Sequence, residues 1–247
     1  MQGWRNVRRK RPDQMKILGL DSATTACSAA ISIDGNAITH RHQAMTRGQS
    51  EAMIPMVETV FAEAELEAKD LDLIVVSVGP GAFTGLRIAI ATALGLSLAS
   101  GVDAAGVSTM DVLAYGARLA MAEPTDAIVA LGSRRDDVYL QVFSATGQAV
   151  NPVEAVAPDG LPDWATAVSI SAPTLVVGDA TERVFEAFAA KNLPVTVSGA
   201  SGVPDAVLVA ALAVEKISKG QSLLPTKPLY LRPPDAVVPK NGGRLRA

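Results

Sequence analysis

The hydrophobic pattern is densest between Leu71 and Ser100, LDLIVVSVGPGAFTGLRIAIATALGLSLAS. Leu73 to Val78 is a short apolar run rich in β-branched residues, which predicts a fully buried strand. Gly79-Pro80-Gly81 ends it, because proline cannot donate to a ladder and glycine permits a sharp reversal. Thr84 stands where a helix N-cap is needed, and from Ile88 to Ala99 only Thr92, Gly95 and Ser97 interrupt the apolar residues. A helix apolar on nearly every side must be covered on nearly every side, by the rest of this chain or by another protein. It falls short of the ~20 residues of a bilayer span, and Arg87 sits at its start.

Ahead of this stretch, Lys16–Asp21 is a short apolar run ending in a carboxylate, and Cys27–Ile33 alternates loosely up to Asp34-Gly35-Asn36, a strong hairpin signal. Ala37–Ala44 is expected as a third strand near one edge. A helix capped at Ser50 or its neighbours should run to Ala64, with Met53, Val57, Val60, Phe61 and Ala64 on one face and Pro55 in its first turns. Beyond it, Ala104–Val107 reads as a strand and Ser108–Ala122 as a helix capped by Ser108. The order β-β-β-α-β-α-β-α implies parallel pairing across each β-α-β crossover.

Pro124 marks the expected boundary to a second unit. There Ala127–Leu131, Val138–Ser144, Val153–Val156 and Thr174–Val177 read as strands, and Pro158–Pro162 as loop. One helix should start at Asp179 or Thr181 and end at Ala190; another opens at Pro204-Asp205 and ends near Gly220. After Leu224 prolines are frequent, so only Lys227–Leu231 is expected to pack and the tail from Pro233 to be mobile. The expected division is thus a leader (1–14), two α/β domains (15–123 and 124–223) and a C-terminal segment (224–247). The order of elements in the second roughly echoes the first.

Composition changes the picture in three ways. With 247 residues, 49% of them hydrophobic, the chain can bury a sizeable core, but aromatics at 4% leave Ala, Val, Leu and Ile to build it. A lone cysteine, Cys27, excludes an internal disulfide framework and fits a reducing compartment; its small neighbours suggest a half-buried strand position. Residues 1–14 carry a net +4 on a chain of formal charge −3, so residues 15–247 carry −7. That start is expected to be a disordered leader, or to precede a true initiation at Met15; a nucleic-acid arm through Arg5–Arg11 is the alternative. No apolar core follows it, so no secretory signal is expected, and the remaining acidic chain is a poor binder of phosphate backbones.

Three stretches have the chemistry to hold a ligand. Asp21-Ser22-Ala23-Thr24-Thr25 places a carboxylate at a strand end before a hydroxyl-lined turn. It either presents amides and hydroxyls to a phosphate, with Asp21 holding a metal or water, or is a plain turn satisfying its own backbone. Gly79-Pro80-Gly81-Ala82-Phe83-Thr84-Gly85 joins a strand end to a helix start, where free amides favour anions; it is neither a Walker loop nor a GxGxxG fingerprint, and glycines also serve close packing. Val176-Val177-Gly178-Asp179 is a weaker version of the same turn. Nucleotide or phosphate candidates are therefore Asp21, Thr24, Thr25, Gly79, Gly81 and Thr84. The only histidines, His40 and His42, alternate on one strand and could share a face, but no third metal ligand is evident nearby, so solvated edge residues are expected and no metal site is assigned. No Gly-x-Ser-x-Gly elbow and no nucleophile–base pair are found.

The stretches at 15–31 (MKILGLDSATTACSAAI), 48–61 (GQSEAMIPMVETVF), 78–99 (VGPGAFTGLRIAIATALGLSLA), 106–114 (GVSTMDVLA) and 227–232 (KPLYLR) together resemble the TsaB family, also called YeaZ. The resemblance runs from Met15 to Arg232, dense in the first half and thin in the second, and GPGxFTGxRI is its most specific block. It implies two ribonuclease-H-like domains of the ASKHA (actin-like) group. It further implies a non-catalytic, cytoplasmic partner in forming N6-threonylcarbamoyladenosine at position 37 of tRNAs reading ANN codons. A metal-bearing paralogue, TsaD, would carry the chemistry; the ATPase TsaE would dock on the pair. The chain would need no cofactor of its own, with ATP or ADP and Mg²⁺ near the partner interface of the full complex, and would meet tRNA only there.

By the same resemblance, helices at about Ser50–Ala64 and Thr84–Ser100 would pair with TsaD through Met53, Val57, Val60, Phe61, Arg87, Ile88, Ala91, Leu94 and Leu98. Alone, the chain would hide that face as a homodimer. Where the paralogue carries its metal-binding histidines this chain has Thr109 and Leu113, and Gly178 stands alone where ASKHA kinases pair glycines. Departures from the family are Ser133-Arg134-Arg135 in place of Asp-Ala-Arg, and Gln49 in place of histidine. The rival expectation is an ASKHA-type small-molecule kinase or metallopeptidase relative, working alone around Asp21, Thr24 and the Gly79–Gly81 loop.

Overall fold

A computed structural model describes residues 15–133, 136–170 and 173–231. The expected leader (1–14), Arg134 and Arg135, and the tail from Arg232 lie outside the described residues.

The first sheet comprises β1 (Lys16–Asp21), β2 (Ala26–Ile33), β3 (Asn36–Ala44), β4 (Leu73–Ser77) and β5 (Ala104–Val107) in the order β3-β2-β1-β4-β5. The second comprises β6 (Asp126–Gly132), β7 (Val138–Phe143), β8 (Glu154–Val156), β9 (Thr174–Val177) and β10 (Val195–Val197) in the order β8-β7-β6-β9-β10. These are one topology used twice. In each sheet the first three strands form an antiparallel meander, and the fourth and fifth add in parallel beside the first. The echo anticipated between the two halves is thus a duplication of strand order. Both sheets are mixed and flanked by helices, an α/β fold.

The local causes are legible. Asp34 and Gly35 take φ of 55° and 80°, the left-handed pair that closes the β2–β3 hairpin and sets Ile33 opposite Asn36. Central strands β1 and β4 bury both faces. Leu18, Leu20, Ile74 and Val76 meet helices α1 (Gln49–Ala64) and α2 (Phe83–Ser100); Ile17, Leu73 and Val75 meet α6 (Ala206–Ser218) on the other side. Helix α3 (Thr109–Leu119), capped by Ser108 as expected, lays Met110, Leu113 and Ala117 on Val129, Leu131 and Phe143 of the second sheet. Helices α4 (Leu161–Ala167) and α5 (Thr181–Ala189) cover that sheet's far side through Trp164, Val184 and Phe188. Five layers result: helices, sheet, the α3–α6 pair, sheet, helices.

Several expectations are corrected. Helix α1 starts at Gln49 after Gly48, whose φ of 91° makes the turn, so Ser50 is not its cap. Helix α2 starts at Phe83 after Ala82 with no side-chain cap, so Thr84 is inside it and exposed. Helix α6, expected in the unit 124–223, packs on the first sheet instead; its start lies so close to β1 that a Cβ on Gly19 would stand 2.2 Å from the Ala206 carbonyl oxygen. The apolar residues of α6 complete the layer that the first sheet lacks. Helix α4 begins at Leu161, inside the stretch 158–162 expected as loop, and β10 is a three-residue edge strand that the hydrophobic pattern does not single out. Cys27 is fully buried rather than half-buried. Met53, Val57 and Val60 line the core against the sheet (0%, 3% and 0% exposed), so they cannot form an outward face; Phe61 is half-buried beside them. The exposed side of α1 carries Glu51, Ile54, Pro55 and Glu58.

Helix α2 meets the turn after β1 backbone to backbone. The Ala82 amide donates to the Ala23 carbonyl at 2.6 Å, and a Cβ on Gly85 would stand 1.9 Å from the Ser22 carbonyl oxygen. Gly85→Ala should therefore destabilise the fold by about 3 kcal/mol in urea unfolding. Gly95→Ala, with nothing within 4 Å of the new methyl, should stabilise it by about 0.5–1 kcal/mol.

Candidate functional site

The three ligand-capable stretches converge. The turn after β1, the start of α2 and the turn after β9 line one cavity of about 1130 Å³ between the two sheets. Its walls include Thr24 and Thr25, Gly81 and Phe83, Gly132 and Ser133, Asp179 and Arg183, with Gln49 and Tyr230 at other edges.

Of the sequence-predicted candidates, Thr24, Thr25 and Gly81 reach the cavity wall, whereas Asp21, Gly79 and Thr84 do not. Asp21 lies beneath the wall at 0% exposure, its carboxylate accepting from the Ala23 amide at 3.2 Å, and it closes the turn from below. Burial pushes its acid dissociation up to about 7, opposed by the nearby Ser77 hydroxyl and the Ala23 amide and assisted by the charge of Asp205. Gly79 is buried against Leu86 and Leu229, and Gly81 fits against the Ala23 carbonyl; both serve the close approach of loop and turn. Thr24 Oγ1 is buried without a hydrogen-bond partner.

Residues that the sequence did not assign to this site come from its rim. Arg87, expected only at a partner face, lies 3.8 Å over the Phe83 ring and donates to the Tyr230 hydroxyl through Nε at 3.1 Å and Nη2 at 3.0 Å. Tyr230 packs beside Phe83 with ring centroids 5.8 Å apart, and the Leu229 amide holds this segment to the Val78 carbonyl at 2.8 Å. The packing of Lys227–Leu231 was anticipated; its place at the cavity was not, because only the fold sets it there. On the opposite wall Asp179 accepts from the Gly132 amide at 2.7 Å, and burial raises its pKa. Asp179, Glu182, Arg183 and Glu186 line the side formed by the turn after β9 and α5, and Arg87 stands on the α2 side, a net −1 among the described lining residues. Cys27 is enclosed in β2, and burial pushes its thiol up to about 11, away from thiolate character at neutral pH.

Beside the cavity, α2 turns its other side outward. It buries Gly85, Leu86, Ala89, Ile90 and Ala93 against the sheet and exposes Arg87, Ala91, Leu94 (47%) and Leu98 (89%), with Ile88 half-buried. By length and composition alone the helix could cross a membrane, but the buried stripe fastens it to β4.

The fold and cavity define a two-sheet α/β protein with a ligand-sized cleft between its halves. Residues 41–219 match the family model described as TsaD, tRNA N6-adenosine threonylcarbamoyltransferase. The tRNA threonylcarbamoyladenosine biosynthesis protein TsaB of Escherichia coli (strain K12) is 34% identical over 125 residues, 51% of this chain and 53% of that protein. The Haemophilus influenzae (strain Rd) protein of the same name is 27% identical over 125 residues. This chain's match thus spans about half the length of these relatives. An uncharacterized protein of Mycobacterium tuberculosis (strain H37Rv) is 32% identical over 222 residues, 89% of this chain and 93% of that one. YeaZ from Pseudomonas aeruginosa shares the fold, with a TM-score of 0.70 at 24% identity over 88% of this chain and 100% of that chain. The chain belongs to the TsaD-type family, as a TsaB (YeaZ) member.

Between about pH 4 and pH 7 the unfolded chain has lost the Asp21 proton and the folded chain keeps it. This carboxyl's contribution to stability therefore falls as pH rises through that window. The unfolding free energy of wild type minus that of Asp21→Asn, measured in urea from pH 4 to 8, should decline with pH and level off above about 7.

Proposed function

We propose that this chain is a non-catalytic scaffold subunit in the formation of N6-threonylcarbamoyladenosine at position 37 of tRNAs reading ANN codons. It pairs with a metal-bearing TsaD-type paralogue through the outer side of α2. The observation that carries this reading is the unburied row Arg87, Ala91, Leu94 and Leu98 on an otherwise apolar helix. An exposed apolar strip beside a sheet costs solubility unless a partner covers it. On α1 the contributing side is Ile54 and Pro55 rather than Met53, Val57 and Val60.

In this reading the two sheets are ribonuclease-H-like units of the ASKHA group, supported by their duplicated strand order. The protein is cytoplasmic and a homodimer when alone. It receives the TsaE-type ATPase as part of the pair, and meets tRNA only within the complex. Chemistry resides in the paralogue: Thr109 and Leu113, buried on α3, replace its metal-binding histidines and cannot supply imidazole. A nucleotide, with Mg²⁺, acts in the full complex near the interface.

The rival, a small-molecule kinase, is favoured only by the cavity's size. ATP turnover by the isolated chain would put it first.

Ala91 is exposed, so Ala91→Glu should leave the thermal midpoint nearly unchanged while weakening pairing by at least about 100-fold, since it buries an unpaired charge in the joint. Size-exclusion chromatography with light scattering, on the chain alone and mixed with its paralogue, reads both. A wild-type monomer indifferent to the paralogue, or an Ala91→Glu variant that pairs normally, overturns the interface.

A further inference from the structure

The chain's only two histidines meet a carboxylate from the far end of the sequence. His40 and His42 project from one face of the outer strand β3, the face that α6 covers, while Thr39 and Arg41 reach the other face to bond Val60 and Glu63 of α1. Asp205, the residue before α6, stands between them. Its Oδ1 lies 2.9 Å from His40 Nε2 and its Oδ2 lies 3.0 Å from His42 Nδ1. One ligand atom from each of the three residues lies within 4.8 Å of the others.

We propose that His40, His42 and Asp205 bind a single Zn²⁺ ion that clasps strand β3 to the start of α6. Two Zn bonds of ~2.0–2.1 Å at a tetrahedral angle separate their ligand atoms by about 3.3 Å, close to the 2.9 and 3.0 Å between the carboxylate and the two imidazoles. The carboxylate is held in place: its Oδ1 accepts from the Val207 amide at 2.8 Å, and the adjoining Ala206 amide donates to Ser28 Oγ at 2.9 Å on β2. Such anchoring from behind is what fixes a metal-ligating group.

The second observation is an unsatisfied atom. His40 Nε2 is shielded from solvent and, although near Asp205, makes no hydrogen bond of acceptable geometry. An enclosed imidazole Nε2 that makes no hydrogen bond and stands 2.9 Å from a carboxylate oxygen is a ready metal ligand. The imidazole pair selects a borderline cation over Mg²⁺ or Ca²⁺, and three protein ligands leave the fourth tetrahedral position to water. The side chains keep 22–37% of their surface exposed, so the ion enters without unfolding. This cluster belongs to strand β3 and α6. It is separate from Thr109 and Leu113 on α3 and from the cavity wall.

The test is titration of the EDTA-treated full chain with ZnCl₂ by calorimetry, and with Co²⁺ by visible absorption. One equivalent of Zn²⁺ should bind, Co²⁺ should show the intense bands of a tetrahedral site, and β3 amides should exchange with deuterium more slowly when Zn²⁺ is present. His40→Ala, His42→Ala and Asp205→Asn should each raise the Zn²⁺ Kd by more than the about 10–100-fold typical of outer-shell partners. Asparagine keeps the cap to Val207, and thermal midpoints without metal confirm that each variant folds. Absence of saturable binding overturns the proposal. So does a Kd unchanged in any one variant, which removes that residue from the three-ligand site.

Discussion

The structure depends on a backbone contact with almost no side chains in it. The Ser22–Ala23 turn and the Ala82–Gly85 start of α2 touch through carbonyl and amide, and glycine at 81 and 85 is what lets them. From that contact follow the seating of α2 on β4, the outward aim of Arg87 and Leu94, and the position of the cavity wall formed by Thr24, Gly81 and Phe83. The glycine-rich block therefore acts mainly as a joint between two polypeptide segments. That it also borders a cleft is a consequence of where the joint lies, at the carboxyl end of parallel strands, where α/β sheets open.

Much of this was legible in the chain. The short apolar runs at 16–21, 73–77, 104–107 and 174–177 declare buried strands, and Asp34-Gly35 closes its hairpin as dipeptide chemistry requires. What failed has a common cause. A helical face of Met53, Val57, Val60 and Phe61 tells only that something apolar lies opposite, and sequence does not distinguish a sheet of the same chain from a foreign surface. The first turned out to be the sheet; on α2, where the same question arose, the buried stripe and the exposed row occupy different sides. At Asp21 the residues allow either a ligand-holding carboxylate or a plain turn, and the fold takes the second. A carboxylate at a strand end is the usual place for a ligand, yet here it is enclosed, and burial holds it near neutrality.

Long-range pairings were the other blind spot. Nothing near His40 in sequence offers a third ligand, because Asp205 arrives from 163 positions beyond His42 through the return of α6. Tyr230 reaches Arg87 the same way. The first meeting is set by the packing of α6 on the first sheet and the second by the Leu229–Val78 backbone bond, neither of which local patterning encodes.

The packing of α6 on the first sheet bears on how the chain comes to be made. The first sheet is finished early, but Ile17, Leu73 and Val75 remain bare on one face until Val209, Leu212 and Ala213 are synthesised and swing back over them. Throughout translation of the second sheet a nascent chain would carry this open apolar surface, the state in which large proteins aggregate and chaperones engage them. The two halves are thus topologically repeated, yet cutting the chain between the sheets would leave the first without its lid.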